Sequence, residues 1–170
     1  AIFDPLKLRA INAAYIRALP AEEFRRLADP FIDSAVHCDI DRDLLCANLQ
    51  PRCEVLEDIP PQLDFFDAVL PIDAEMYRNK KQKTTPESAK EALTALLPVL
   101  EAQTDWTRDA IFEACKALAE QLEKKNGWLL FPLGIALSGK ARTPGGGTDL
   151  AAMMGKPETL KRVKEALEKL

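Results

Sequence analysis

Trp128-Leu129-Leu130-Phe131-Pro132-Leu133-Gly134-Ile135-Ala136-Leu137 decides the fold class. Its first four residues are the only β-like run in the 170-residue chain, and Pro132 follows at once. Proline cannot donate to a sheet ladder, so a central strand is excluded there. The stretch reads instead as an apolar helix that carries Pro132 and Gly134. The chain is therefore expected to be all-α, an irregular helical bundle in two packed subdomains.

Punctuation on either side agrees. All seven glycines lie at or after Gly127, so tight left-handed turns and hairpins are scarce upstream. Twelve prolines cut the chain into pieces of helical length. Downstream comes a flexible basic loop, Lys140–Thr148. Thr148 is expected to cap a short helix closed by Gly155. Pro157 opens the last helix, with Leu160, Val163, Leu167 and Leu170 on one face. Upstream, Thr107 caps a helix carrying Ile111, Cys115, Leu118 and Leu122. Thr85-Pro86-Glu87 starts another that runs to about Ala102, with a kink at Pro98. The polar stretch from Asn79 to Thr85 marks a subdomain boundary near residues 72–84, giving subdomains 1–75 and 76–170.

In the N-terminal part, Asp4 and Pro5 start a helix whose inward face is expected to be Leu8, Ile11, Ala14, Tyr15 and Leu19. Pro20 opens the next, with Phe24, Leu27 and Ala28 inward, and Pro30 is expected to interrupt it. Asp41 caps a helix to about Gln50; Pro51 breaks or kinks it and Arg52–Glu57 continues beyond. Pro60-Pro61 is expected to open a short helix with Leu63, Phe65, Phe66 and Leu70. The opening Ala1-Ile2-Phe3-Asp4-Pro5, without an initiator Met, reads as the start of a piece of a longer chain.

The composition, 47% hydrophobic and 29% charged, allows a buried core. No apolar run is long enough to cross a membrane. The net charge of −4 is unevenly spread: −8 over residues 1–75, +1 over 76–139 and +3 over 140–170. Such a chain is unsuited to bulk-charge DNA binding but leaves room for a polyanion near its C-terminal end. Cys38, Cys46, Cys53 and Cys115 form no C-x-x-C pair, and His37 is the single histidine. No metal site is expected, and the thiols read as reduced core residues. No phosphate-binding, dinucleotide-binding, serine-hydrolase or zinc-protease motif is present. By residue chemistry alone this is a helical binding or scaffolding domain without a cofactor of its own. A non-catalytic protein-interaction domain using the acidic N-terminal part is the alternative. The loop Lys140-Ala141-Arg142-Thr143-Pro144-Gly145-Gly146-Gly147-Thr148 asks most for a ligand: two cations, exposed backbone and a following helix N-terminus suit phosphate or an unstacked base.

The residues from Trp128 to Lys140, followed by Thr143-Pro144-Gly145, resemble the C-terminal signature of bacterial-type glutamyl-tRNA synthetases. That signature reads P-L-R-x-A-L-T-G, a spacer, T-P-G and a helix ending in L-G-K-E. Here stand Pro132, Leu133, Ala136, Leu137, Ser138, Gly139 and later Met154-Gly155-Lys156-Pro157-Glu158. Three further matches fall in order: Ile2-Phe3-Asp4 with Lys7-Leu8, Ile11-Asn12 and Tyr15-Ile16-Arg17; Pro51-Arg52 with Val55-Leu56; and Asp105-Trp106-Thr107. Together they cover essentially the whole chain. The resemblance implies an all-α anticodon-binding region of a cytoplasmic, monomeric class I enzyme that ligates glutamate to tRNA(Glu). ATP and magnesium would belong to a catalytic domain outside this chain, which alone would be inactive. It also implies that Arg52 contacts the third anticodon base, with Gly134, Lys140, Arg142, Thr143, Pro144, Gly145 and Gly146 completing the RNA-binding set. Three positions depart from the pattern, one of them Ala10, where the family commonly has a tryptophan and a packing variation is the reading. The family's arginine in P-L-R is Gly134 here, and its bulky residue after T-P-G is Gly146; the resemblance implies that both positions line the pocket for the first anticodon base.

Overall fold

The computed structural model describes residues 4–170, so the Ile2-Phe3 part of the N-terminal match lies outside the described residues. Eight α-helices occur among them: α1 Pro5–Ala18, α2 Ala21–Ala35, α3 Arg42–Leu49, α4 Pro86–Ala102, α5 Arg108–Gln121, α6 Asn126–Ser138, α7 Gly147–Met154 and α8 Lys156–Lys169. No strand forms among the described residues; a single antiparallel bridge pairs Asn79 with Thr84. The chain divides into two compact units, one ending at Asp67 and the other running from Ala68 to Leu170. The division precedes the composition shift because the polar stretch is built into the second unit. The Leu70 N–H donates to the Ser138 carbonyl at 3.1 Å, and Tyr77 and Thr84 are buried.

In the first unit, the Asp4 carboxylate accepts the Leu6 and Lys7 N–H groups at the start of α1. The inward face of that helix differs from the expected one. Leu8, Ile11 and Tyr15 are 52%, 60% and 65% exposed, while Ala13 and Ile16 are buried. Polar anchors set the rotation. Arg9 binds Glu54 at 2.7 Å and Asp58 at 2.6 Å, and the Asn12 amide donates to the Glu54 carbonyl. Residues 9, 12, 13 and 16 lie on one helical face, and the apolar stripe beside it turns outward. Helix α2 runs unbroken through Pro30, which is exposed, so solvent can take the hydrogen bond proline omits. Helix α3 starts at Asp41, whose side chain accepts from the Leu44 N–H, and buries Leu45, Cys46 and Leu49. It does not continue past Pro51. The chain tightens into a 3₁₀ turn, Gln50–Arg52, and Cys53 is extended. Nor does Pro60-Pro61 open an α-helix: a 3₁₀ turn, Pro60–Gln62, delivers Leu63, Phe65 and Phe66 to the core. Asp67 closes the unit by accepting the His37 and Cys38 N–H groups at 2.7 and 3.1 Å, its second oxygen lying 2.6 Å from His37 Nδ1. The His37 backbone bond above all holds this carboxyl down at about 2.

In the second unit, α6 is the hub and packs on α4, α5, α7 and α8. It is apolar on nearly every side, as a helix surrounded by others must be. It ends at Gly139 in the left-handed region, φ +77°, and a Cβ there would lie 2.5 Å from the Leu70 carbonyl oxygen. Helices α4 and α6 both accommodate an internal proline, Pro98 and Pro132. Helix α8 buries Thr159, Arg162, Val163 and Ala166, a face rotated from the leucine face expected. The cause is again a polar anchor: Arg162, 2% exposed, donates to the Leu137 carbonyl at 2.7 Å and pairs with Glu158 at 2.9 Å.

Candidate functional site

Carboxylates outnumber cations in the first unit, thirteen against seven, and most of its arginines are consumed by them. Arg9 holds Glu54 and Asp58, Arg25 holds Asp29 and Asp43, Arg26 holds Glu23, and Arg42 holds Asp29 and Asp33. Among the described residues of this unit two arginines stay outside these pairs, Arg17 on α1 and Arg52 on the turn after α3, and Arg52 is the informative one. It is exposed and makes no hydrogen bond or ion pair among the described residues. Glu54, its nearest acidic neighbour in sequence, is taken by Arg9. The turn beneath Arg52 is fixed at two points. The Gln50 amide donates to the Ile16 and Leu19 carbonyls, each at 2.9 Å, and Pro51 limits the backbone. Cys53 is buried behind it, its thiol pushed up to about 11 by desolvation, so it stays neutral and inert. A cleft of about 410 Å³ between α2 and α3 reaches Gln50. Arg52 is thus an exposed cation on a fixed turn, with its donor fork unspent among the described residues.

The remaining predicted residues lie in the second unit, where the end of α6 meets the start of α7. The Ser138 hydroxyl donates to the Gly134 carbonyl at 2.6 Å and accepts the Lys140 N–H at 3.0 Å. The Thr143 hydroxyl donates to the Gly145 carbonyl at 2.7 Å, and Pro144 is buried. Arg142 is exposed, with no hydrogen bond or ion pair among the described residues. The structure brings Gly134, Lys140, Thr143, Gly145 and Gly146 into this one region; Arg52 belongs to the other unit.

Thr148 does not cap α7. The helix begins at Gly147, Gly146 is the capping residue, and Thr148 is buried in the first turn. The reason is a close helix approach. A Cβ on Gly147 would lie 2.9 Å from the Leu130 carbonyl oxygen and 3.1 Å from the Gly134 nitrogen, so only glycine seats α7 this near α6. The end of α7 is also already neutralised. Asp149 accepts the Gly146 N–H at 2.9 Å and an Arg108 donor at 3.1 Å. Arg108 in turn lies 5.0 Å from the Phe112 ring. This Arg108–Asp149 link joins residues 41 positions apart and has no local signal in the sequence. Nearby, the Trp106 indole donates to the Ala151 carbonyl at 2.9 Å. Gly134 and Gly146 differ from Gly139 and Gly147. A Cβ on Gly134 would make ordinary contact with Gly147 at 3.9 Å, and on Gly146 with Asp149 at 3.8 Å, and Gly146 has φ −86°. The backbone demands glycine at neither position.

The sequence matches the family described as "Anticodon binding domain" over residues 11–167. It is 45% identical over its whole length to a glutamate–tRNA ligase of Clostridium botulinum strain Hall and 43% identical to that of Clostridium tetani. The 170 residues span 35% of the length of each of these relatives. Among solved structures, a glutamate tRNA ligase from Elizabethkingia meningosepticum superposes with a TM-score of 0.82 at 24% identity, over 99% of this chain and 33% of that one. The glutamate–tRNA synthetase of Elizabethkingia anophelis gives 0.77 at 21% identity, over 98% and 32%. These two establish a shared fold.

Proposed function

The chain belongs to the anticodon binding domain family, and on that premise we propose that it is the part of a glutamate–tRNA ligase that grips the anticodon loop of tRNA(Glu). Anticodon bases are single-stranded, and proteins read such bases by hydrogen-bonding edges that a duplex would hide. The observation that carries the reading is Arg52: exposed, unpaired among the described residues, and mounted on a turn held by Pro51 and Gln50 in a unit whose neighbouring arginines are mostly occupied. Its guanidinium fork suits the O2 and N3 acceptors of a cytosine at the third anticodon position.

The Lys140–Gly146 segment supplies the second grip. Lys140 and Arg142 place charge beside a loop shaped by Thr143, Pro144 and Gly145, where phosphate contacts position the RNA without specifying it. The α7 N-terminus contributes little to that, since Asp149 already satisfies it. At Gly134 and Gly146 no side chain supplies a donor or an apolar wall to the first anticodon base. Catalysis, with its ATP and magnesium, is assigned to the part of the ligase outside these 170 residues. In the full-length parent, Arg52→Gln should narrow the difference in kcat/KM between tRNA(Glu) and tRNA(Gln) by about 1–3 kcal/mol, the cost of one good base contact. An equal loss for both tRNAs would make Arg52 a phosphate or structural residue instead.

A further inference from the structure

The second unit carries a concentration of positive charge that base reading does not use. Two turns distant in sequence, Asn79–Thr84 and Glu123–Lys125, wall a cleft of about 290 Å³ with Trp128 at its base. Lys81, Lys83, Lys124 and Lys125 line it, and Lys80 is the exposed neighbour of Lys81 in the same turn. None of these five lysines has a salt bridge or hydrogen bond through its ammonium group among the described residues. Glu123 is the one carboxylate in the lining. A chain of net charge −4 thus gathers five lysines against one acid at this place.

The fold holds the cluster together. Asn79 and Thr84 exchange backbone hydrogen bonds of 3.1 and 3.0 Å, and the Thr84 hydroxyl donates to the Tyr77 carbonyl at 2.6 Å. Gln82 lies flat against α6: a Cβ on Gly127 would come within 1.6 Å of its Oε1. The two lysine turns meet where the Gln82 amide rests against Gly127. Lys124 stands 5.1 Å from the Trp128 ring, which orients it, while the ring itself is buried and offers no stacking face. Lys83 and Glu123 are the two non-glycine residues with positive φ among the described residues, +57° and +58°. A left-handed turn favours glycine or asparagine, so the lysine at position 83 keeps its charge there against local backbone preference.

We propose that this lysine-lined cleft is a phosphate-binding surface for the tRNA backbone, separate from the base-reading residues. The proposal rests on the anticodon-loop reading of the chain. Compact, rotatable ammonium groups without arginine forks or an exposed aromatic ring suit backbone phosphates and not base edges. An acidic protein partner would use the same charge but has no other feature here to dock on.

The test measures binding of the chain to a tRNA(Glu) transcript by fluorescence anisotropy, between about 50 and 200 mM salt. The Lys81→Gln/Lys83→Gln/Lys124→Gln/Lys125→Gln variant should bind several-fold more weakly at low salt. The slope of log K against log salt should shrink by about 3, since each of the four lost phosphate contacts removes roughly 0.7–0.9. Its preference for C over G at the third anticodon position should not change. A control variant, Lys116→Gln/Lys161→Gln/Lys164→Gln, removes exposed lysines elsewhere and should keep the wild-type slope. Equal slope loss in both variants, or none in the cleft variant, overturns the proposal while leaving the anticodon reading intact. A wild-type chain that binds no RNA overturns both. Circular dichroism confirms that each variant is folded.

Discussion

The two units solve the problem of holding helices together in different ways. The first carries a charge of −6, seven cations against thirteen acids, and its short helices are tied by arginine–carboxylate pairs around a modest core. The second carries +2, sixteen against fourteen, and surrounds one apolar helix with four others. Its structural arginine, Arg162, is buried, whereas those of the first unit stay partly in solvent. Stability in the second unit should therefore respond to packing and in the first to charge. The acidic unit also makes a cation left unpaired among the described residues, such as Arg52, stand out as a candidate binding group.

The largest effect should come from the buried arginine. Arg162→Ala strands the Leu137 carbonyl and empties packed volume, and should cost about 2–4 kcal/mol. Native-state hydrogen exchange should show the loss in α6 and α8. A cost below about 1 kcal/mol would mean that solvent reaches this end of α6 and that the contrast between the units is overstated.

Asp67 offers a smaller effect with a defined pH window. Its folded value, about 2, lies below the ordinary 3.8, so it contributes stability above about pH 4 and loses it as pH falls towards 2. Asp67→Asn should cost about 1 kcal/mol at neutral pH, discounted for its partial exposure, and flatten the acid-side curve of the first unit. Urea unfolding at pH 7, 4 and 2.5 checks this; parallel curves for wild type and variant would remove Asp67 from the explanation. A similar cost, about 0.5–1 kcal/mol, is expected for Arg42→Ala, which frees Asp29 and Asp33, and it should shrink in high salt.

Helix starts were the most legible part of the sequence. Asp4, Asp41, Thr85 and Thr107 cap the helices that their residue types announce, because a cap is a local hydrogen bond. Helix rotation was less legible. In α1 and α8 the buried face is chosen by Arg9, Asn12 and Arg162, whose partners lie 25 to 49 residues away. Proline is a weaker break than its residue type announces: Pro30 lies within a continuous α2. The segment after Pro51 was under-read, since 3₁₀ turns have no strong period to detect. Among the proposed site residues, Arg52 is picked out in the sequence by its motif, while its lack of a partner among the described residues depends on Arg9 claiming Glu54. The lysine cleft was hidden because its halves are about forty residues apart and meet through Gln82 and Gly127.

The smallest predicted effect separates two kinds of glycine in the second unit. Gly134 and Gly147 face each other where α6 meets α7, yet their surroundings differ. At Gly134 a Cβ reaches only the Gly147 backbone at 3.9 Å, within normal contact, and the position is in a helix interior. Alanine there loses less backbone entropy on folding, so Gly134→Ala should stabilise the unit by about 0.5–1 kcal/mol. At Gly147 the same methyl group would press on the Leu130 carbonyl oxygen at 2.9 Å, so Gly147→Ala should destabilise and push α7 away from α6. Thermal melts of the two variants decide the sign of each change. If Gly134→Ala stabilises the fold while weakening binding of the tRNA(Glu) anticodon stem–loop, the space beside Gly134 is used by RNA and its glycine is kept for binding. If it stabilises and leaves binding unchanged, the glycine has no part in the grip.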